Sequence, residues 1–133
     1  MRSMIYTANT ATQAVPVGGT VALGQEVRRS GCGLVSGGSS IVAKTHMPVL
    51  VTVSVTAAPS AAGAVTVALY RDGVAIPGAT ATQTVAANGT ASLAFSAIVR
   101  GSRCACADAS TLTVVLLGTA SDVSNVAVTA VEP

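Results

Sequence analysis

The chain has almost no aromatic surface to offer. Among 133 residues the aromatics are Tyr6, Tyr70 and Phe95, and tryptophan is absent. Two common modes of recognition lose their main tool with them. Single-stranded nucleic acid is held by bases stacked on aromatic rings along a basic groove, and sugars stack on the same rings. Charge is equally scarce. Asp, Glu, Lys and Arg make up 9% of the residues, and the net charge is +2. That is no basic stripe of the kind nucleic-acid binders carry, so no nucleic-acid partner is expected. Designed soluble surfaces carry about 25–35% charge. A chain at 9% is expected to bury part of its surface in an oligomer.

Reactive constellations are missing as well. The one histidine, His46, stands beside Met47-Pro48 at a strand entrance. A nucleophilic triad needs His with a Ser or Cys and an acid. The acids Glu26, Asp72, Asp108, Asp122 and Glu132 all fall at turns or element ends, so no enzyme activity, catalytic residue or cofactor is expected. The three cysteines, Cys32, Cys104 and Cys106, are an odd number, which argues against a complete intrachain disulfide set. Their expected state is small buried thiols. The alternative is a thiolate metal site of Cys32, Cys104, Cys106 and His46, since the thiols of a Cys-x-Cys pair share one side of an extended chain. Zinc normally asks for four ligands with wider Cys spacing, so the three cysteines are too few for the usual set unless His46 is added or several chains pool theirs. The Gly31 to Gly38 stretch lacks the strand-loop-helix context of a phosphate loop. Asn88-Gly89-Thr90 matches a glycosylation triplet but is fully explained as a turn.

No run reaches the about 18 apolar residues of a membrane-spanning helix, and no membrane partner is expected. The first ten residues contain no apolar signal core. The expectation is therefore assembly in a cytoplasm, with release inside a particle or by lysis.

What the chain does have is valine and alanine in alternation. Half the residues are hydrophobic, yet most are small and bury little area each. From 49 to 56, Val49, Val51, Val53 and Val55 alternate with Leu50, Thr52, Ser54 and Thr56. After a short Ala/Pro/Ser/Gly loop, Val65, Val67 and Leu69 alternate with Thr66, Ala68 and Tyr70. A period of two marks strands with one buried face. Asp72-Gly73 then supplies the positive φ values of a tight hairpin. The stretch Val49 to Pro77 thus predicts two long strands and a hairpin at the centre of an antiparallel sandwich.

Around it the signals repeat. Short strands are expected at 4–7, 12–17 and 20–23, with Pro16 marking an edge and Gly18-Gly19 a turn. Gln25 to Ser30 carries the pair Arg28-Arg29. Apolar pieces at 34–35 and 41–43 flank a Gly-Gly-Ser-Ser loop at 37–40. A Thr-rich strand runs from Ala79 to Val85, Asn88-Gly89 predicts a second hairpin, and 91–99 alternates again. A polar loop is expected over 100–109 and another over 118–124. Strands over 111–117, apolar on both faces, and 126–130 close the chain. This predicts one all-β domain over 1–133, a jelly-roll sandwich of about ten antiparallel strands. Val53, Val67, Leu69, Phe95 and Val114 are the expected core, and residues 1–20 an edge or docking segment.

The order of these elements, with the phrases "LYRDGVAIPGA", "TLTVVLLG" and "NVAVTAVE", resembles the jelly rolls of the tumour-necrosis-factor and complement-head type. It is most similar to small structural proteins of phages and prophages and to the C-terminal domain of collagen-like spore-surface glycoproteins. The chain departs from the pattern at His46-Met47-Pro48, where the family often has an aromatic, and it has no collagen-like stalk. The resemblance implies a tight homotrimer with one sheet facing the three-fold axis. It also implies a non-enzymatic virion role, as a capsid decoration or head-fibre protein on the capsid surface. The partner would be a major capsid or other virion protein. The alternative it implies is a receptor- or glycan-binding tip on a phage tail or spore surface.

Overall fold

The computed structural model describes residues 3–31, 33–44, 48–99 and 110–132. Alanine, valine and threonine are the commonest of these residues, and the β-branched valine and threonine fit a pleated, half-buried surface. Eleven strands result: β1 (Met4–Asn9), β2 (Gln13–Val15), β3 (Gln25–Ser30), β4 (Leu34–Ser36), β5 (Ile41–Ala43), β6 (Val49–Pro59), β7 (Gly63–Arg71), β8 (Val74–Val85), β9 (Ala91–Val99), β10 (Ser110–Leu117) and β11 (Ser121–Val131). They form two sheets in which every pairing is antiparallel.

The first sheet runs β3-β1-β11-β6-β9, with β2 paired to the N-terminal part of β11. The second runs β4-β5-β10-β7-β8. The two sheets stack as a jelly-roll sandwich. The alternation in β6 is read out as foreseen: Val49, Val51, Val53, Val55 and Ala57 are buried, while Leu50, Thr52 and Ser54 are exposed. Ile5, Val126, Val128 and Ala130 meet these valines from the same sheet. Val65, Val67, Leu69, Leu112, Val114 and Leu116 face them from the other. Val53, Val67, Leu69 and Val114, named from the sequence as core, are all at most 1% exposed.

Phe95 differs. It stands directly across from Val53 and points inward, yet it is only partly buried against the core. The reason is topological. Among the described residues β9 is the last strand of its sheet, with no strand paired on its far side. The strand phase was right, and the depth of burial was overestimated.

The turns sort into two kinds. At Asp72 and Gly73 both φ values are positive, +52° and +82°, which is the geometry a two-residue hairpin requires. The Asp72 N–H donates to the Thr111 carbonyl, and the Asp72 carboxylate accepts from the Thr111 N–H, both at 2.9 Å. Asn88-Gly89 is not a hairpin. β8 and β9 belong to different sheets, and the turn carries the chain across the sandwich. Asn88 alone is left-handed, at φ +62°, and the Gly89 N–H closes on the Ala86 carbonyl at 2.9 Å.

Other departures have equally local causes. The Thr-rich strand expected over Ala79 to Val85 is the second part of one long β8, which bulges near Gly78. Pairing jumps from Ala68↔Thr80 to Tyr70↔Ala75, and Gly78 takes φ +80°. The expected loop at 118–124 is shorter, because β11 begins at Ser121 to pair with β2 and with the end of β6. The segment 20–23 is not a separate strand. It is extended chain laid along β10, held by bonds from Gly18 N–H to the Leu116 carbonyl and Val21 N–H to the Val114 carbonyl. Gln25–Ser30, set apart only for its arginines, is an edge strand. Within the segment 1–20, β1 is an inner strand between β3 and β11, with Ile5 fully buried.

Candidate interaction surfaces

The candidate metal ligands Cys32, Cys104, Cys106 and His46 all lie outside the described residues. Among the described residues, no group of three or more His, Cys, Asp or Glu side chains is placed to hold a metal ion. The described acids are occupied in structural contacts, apart from the exposed Asp122 at the start of β11. Asp72 holds its turn to Thr111. Glu26 accepts from the Ser36 N–H at 3.2 Å and lies 3.7 Å from the Arg29 guanidinium, which ties the margin of one sheet to the other. Glu132 accepts from the Ser3 N–H at 3.3 Å, while the Ser3 hydroxyl accepts from the Gly33 N–H at 2.9 Å. That cluster latches the two chain ends together. Arg71 donates to the Ser110 hydroxyl at 3.0 and 3.1 Å.

The surfaces are more informative. On the outer face of the first sheet, the registers line side chains up in three rows across five strands. Ser30, Met4, Val131, Leu50 and Ile98 make the first row. Arg28, Tyr6, Thr129, Thr52 and Ser96 make the second, and Gln25, Ala8, Ala127, Ser54 and Ala94 the third. Arg28, at the margin, is the single charge among them. The first row is an apolar stripe, and it does not stop at β9. Ile98 also borders a pocket of about 460 Å³ that it shares with Val74, Ile76 and Pro77 and with the charged Arg71 and Asp72.

Five large hydrophobic side chains are exposed among the described residues: Val17, Val27, Leu50, Val74 and Ile98. Three of the five meet at this one place, with Ile98 at 67% and Val74 at 69% exposure. Scattered apolar residues are normal on a surface, whereas a contiguous patch marks an interaction site. The outer face of the second sheet is different in kind. Thr66 and Thr82 bond to each other at 2.9 Å, and the apolar pair Val115 and Ala68, adjacent in register, is already buried within the single chain.

A second pocket, of about 330 Å³, sits where β2 meets the start of β11. It is lined by Ala14, Val15, Pro16, Ser60, Ala120, Ser121 and Asp122. The exposed Val17 follows directly at the next turn. The second surface falls inside the 1–20 docking segment expected from the sequence, whereas the stripe was not named, because it depends on which strands end up adjacent. The alternating Leu50 and Ile98 signalled an outward face, but not that the two are cross-strand partners.

No protein-family model matches the sequence, and no curated protein does. Solved structures match over the whole fold. Murine APRIL superposes with a TM-score of 0.73 at 15% identity, covering 100% of both chains. The globular domain of the zebrafish complement 1qA protein gives a TM-score of 0.65 at 5% identity, over 96% of this chain and 94% of that one. The PRD1 vertex protein P5 gives 0.59 at 8% identity, over 98% and 96%. The fold is thus the jelly roll of the tumour-necrosis-factor and complement-head type, as the sequence resemblance implied. Identities this low speak to the fold alone.

Proposed function

We propose that this chain is a non-enzymatic structural protein of a virus particle, a homotrimeric jelly roll that decorates the capsid surface. The observation that carries the reading is the apolar stripe Met4-Val131-Leu50-Ile98 on a face with one charge in three rows. A soluble monomer gains nothing from such a face, and a self-complementary oligomer buries it. In the proposed trimer the outer face of the first sheet turns toward the three-fold axis. The open β8/β9 margin, with Val74 and Ile98, packs on a neighbour. A stable protein–protein contact removes on the order of 800 Å² per partner, and the stripe with its adjoining pocket is the part of this surface suited to it.

The particle is supported by a coarser argument. One of the similar structures is named a vertex protein. The partner is a major capsid protein or another virion component. Docking falls to the 10–20 part of the N-terminal segment, where β2 is a three-residue edge strand beside the second pocket and Val17 is 56% exposed.

Quantitative mass spectrometry of gradient-purified particles tests the role. The reading expects many copies per particle, on the outer face of the shell. A few copies would make the protein a tail-tip binder, and absence from particles would refute a virion role.

A further inference from the structure

We infer that the free edge of β3 is a strand-addition site that takes an extended, acidic segment of a partner protein. The inference goes beyond the trimer and the particle, and it requires that β3 and Arg28, at the margin of the first sheet, stay outside the trimer contact. All six residues of β3 are exposed. The strand buries no side chain of its own and is held to the molecule by its backbone pairing with β1 and by the Glu26 carboxylate on the Ser36 N–H. Among the described residues its other edge has no strand beside it. An edge of this kind presents a row of backbone donors and acceptors, which is the template that β-augmentation uses.

The side chains state which partner. A register shift between Tyr6 and Thr7 leaves Val27 as the extra residue, and it stands 60% exposed. Arg28 and Arg29 follow it. Successive strand residues point to opposite faces, so Arg28 lies on the outer face across from Tyr6, and Arg29 lies across from Ile5. Arg29 already has the Glu26 carboxylate at 3.7 Å. Arg28 has no ion-pair partner among the described residues. An added strand thus needs one acid opposite Arg28, a β-branched apolar residue beside it opposite Val27, and no second acid, because Glu26 would repel it. Arginines on an edge also serve to keep copies of a protein from pairing. That same repulsion argues against a second copy of this chain as the occupant.

The test uses three nine-residue peptides, acetylated and amidated, built of threonine and valine. One has a central glutamate, one a central lysine, and one keeps the glutamate but carries N-methyl groups along one edge. Amide chemical-shift mapping on the full chain reports where each binds. The glutamate peptide is expected to shift resonances of β3 and β1 alone, and to bind roughly five- to tenfold more tightly than the lysine peptide. Its binding should weaken with salt, and N-methylation should abolish it. Arg28→Glu should reverse the preference. β3 makes no core contact, so this variant is expected to stay folded, and the comparison of peptides on the wild-type chain stands without it. Equal binding of the two charge types, survival of binding after N-methylation, shifts elsewhere on the molecule, or no binding of the glutamate peptide would overturn the inference. So would edge-to-edge pairing of two copies through β3.

Discussion

Ile98→Asp separates the proposed assembly from the fold of the single chain. In the isolated protomer Ile98 is 67% exposed, on the edge strand β9, with Leu50 across from it and Val74 over the adjoining pocket. An exposed substitution away from special features stays within about 0.5 kcal/mol of neutral. The fold alone therefore predicts almost no effect. The trimer predicts a large one. Burying the exposed two-thirds of an isoleucine contributes about 1–2 kcal/mol at each contact. Replacing it with a carboxylate removes that gain and adds an unpaired charge at a dry interface, a penalty of at least a few kcal/mol. Three copies enter the assembly, so the deficit repeats at each interface. Sedimentation velocity should show the variant running as single chains at a concentration where the wild type is assembled. Circular dichroism should still report a β-sheet protein. A variant that sediments like the wild type, with an unchanged melting temperature, would refute the placement of the interface on the Leu50-Ile98 stripe.

Three further changes probe the packing. Phe95→Ala removes a ring that only half enters the core, so its cost should fall near half of the about 3–5 kcal/mol of a fully buried aromatic truncation, read from urea unfolding. Thr7→Val should stabilise the chain, because the Thr7 hydroxyl is fully buried and has no hydrogen-bond partner among the described residues. Removing an unpaired buried hydroxyl should gain about 1–2 kcal/mol, and a loss of stability would reveal a partner. Asp72→Ala puts a methyl side chain at φ +52° and deletes the bond to the Thr111 N–H. It should cost about 1–3 kcal/mol, whereas Asp72→Asn, which tolerates the turn, should cost less.

The sandwich was legible because valine alternates clearly in β6, in Val65 and Val67 of β7, and at Val126 and Val128 of β11, while the first part of β11, before its bulge, was not. A two-residue period, once one face is buried, fixes which side chains enter the core. Asp72-Gly73 was legible for a related reason, since both residues take the positive φ that the pair advertises. Asn88-Gly89 carries the same local signal and means something else. Whether the next strand pairs beside the last or crosses to the other sheet is decided by the packing of the whole chain. Phe95 makes the same point. Its phase came from its neighbours in sequence, while its exposure reflects β9 being the last described strand of its sheet. β3 was hardest to see, because a strand with every residue exposed has no alternation to show. Leu50, Val74 and Ile98 lie far apart in sequence; register pairs Leu50 with Ile98, and the stacking of the two sheets brings Val74 beside them. The candidate site was invisible in the sequence for that reason.

The central claim is that this fold does not act alone. Multi-angle light scattering on the purified full chain at micromolar concentration measures it directly. The account predicts a single species of three chain masses, each chain being 12.9 kDa, that persists on dilution and gives way to single chains on Ile98→Asp. A wild-type chain that scatters as one 12.9 kDa monomer would contradict it.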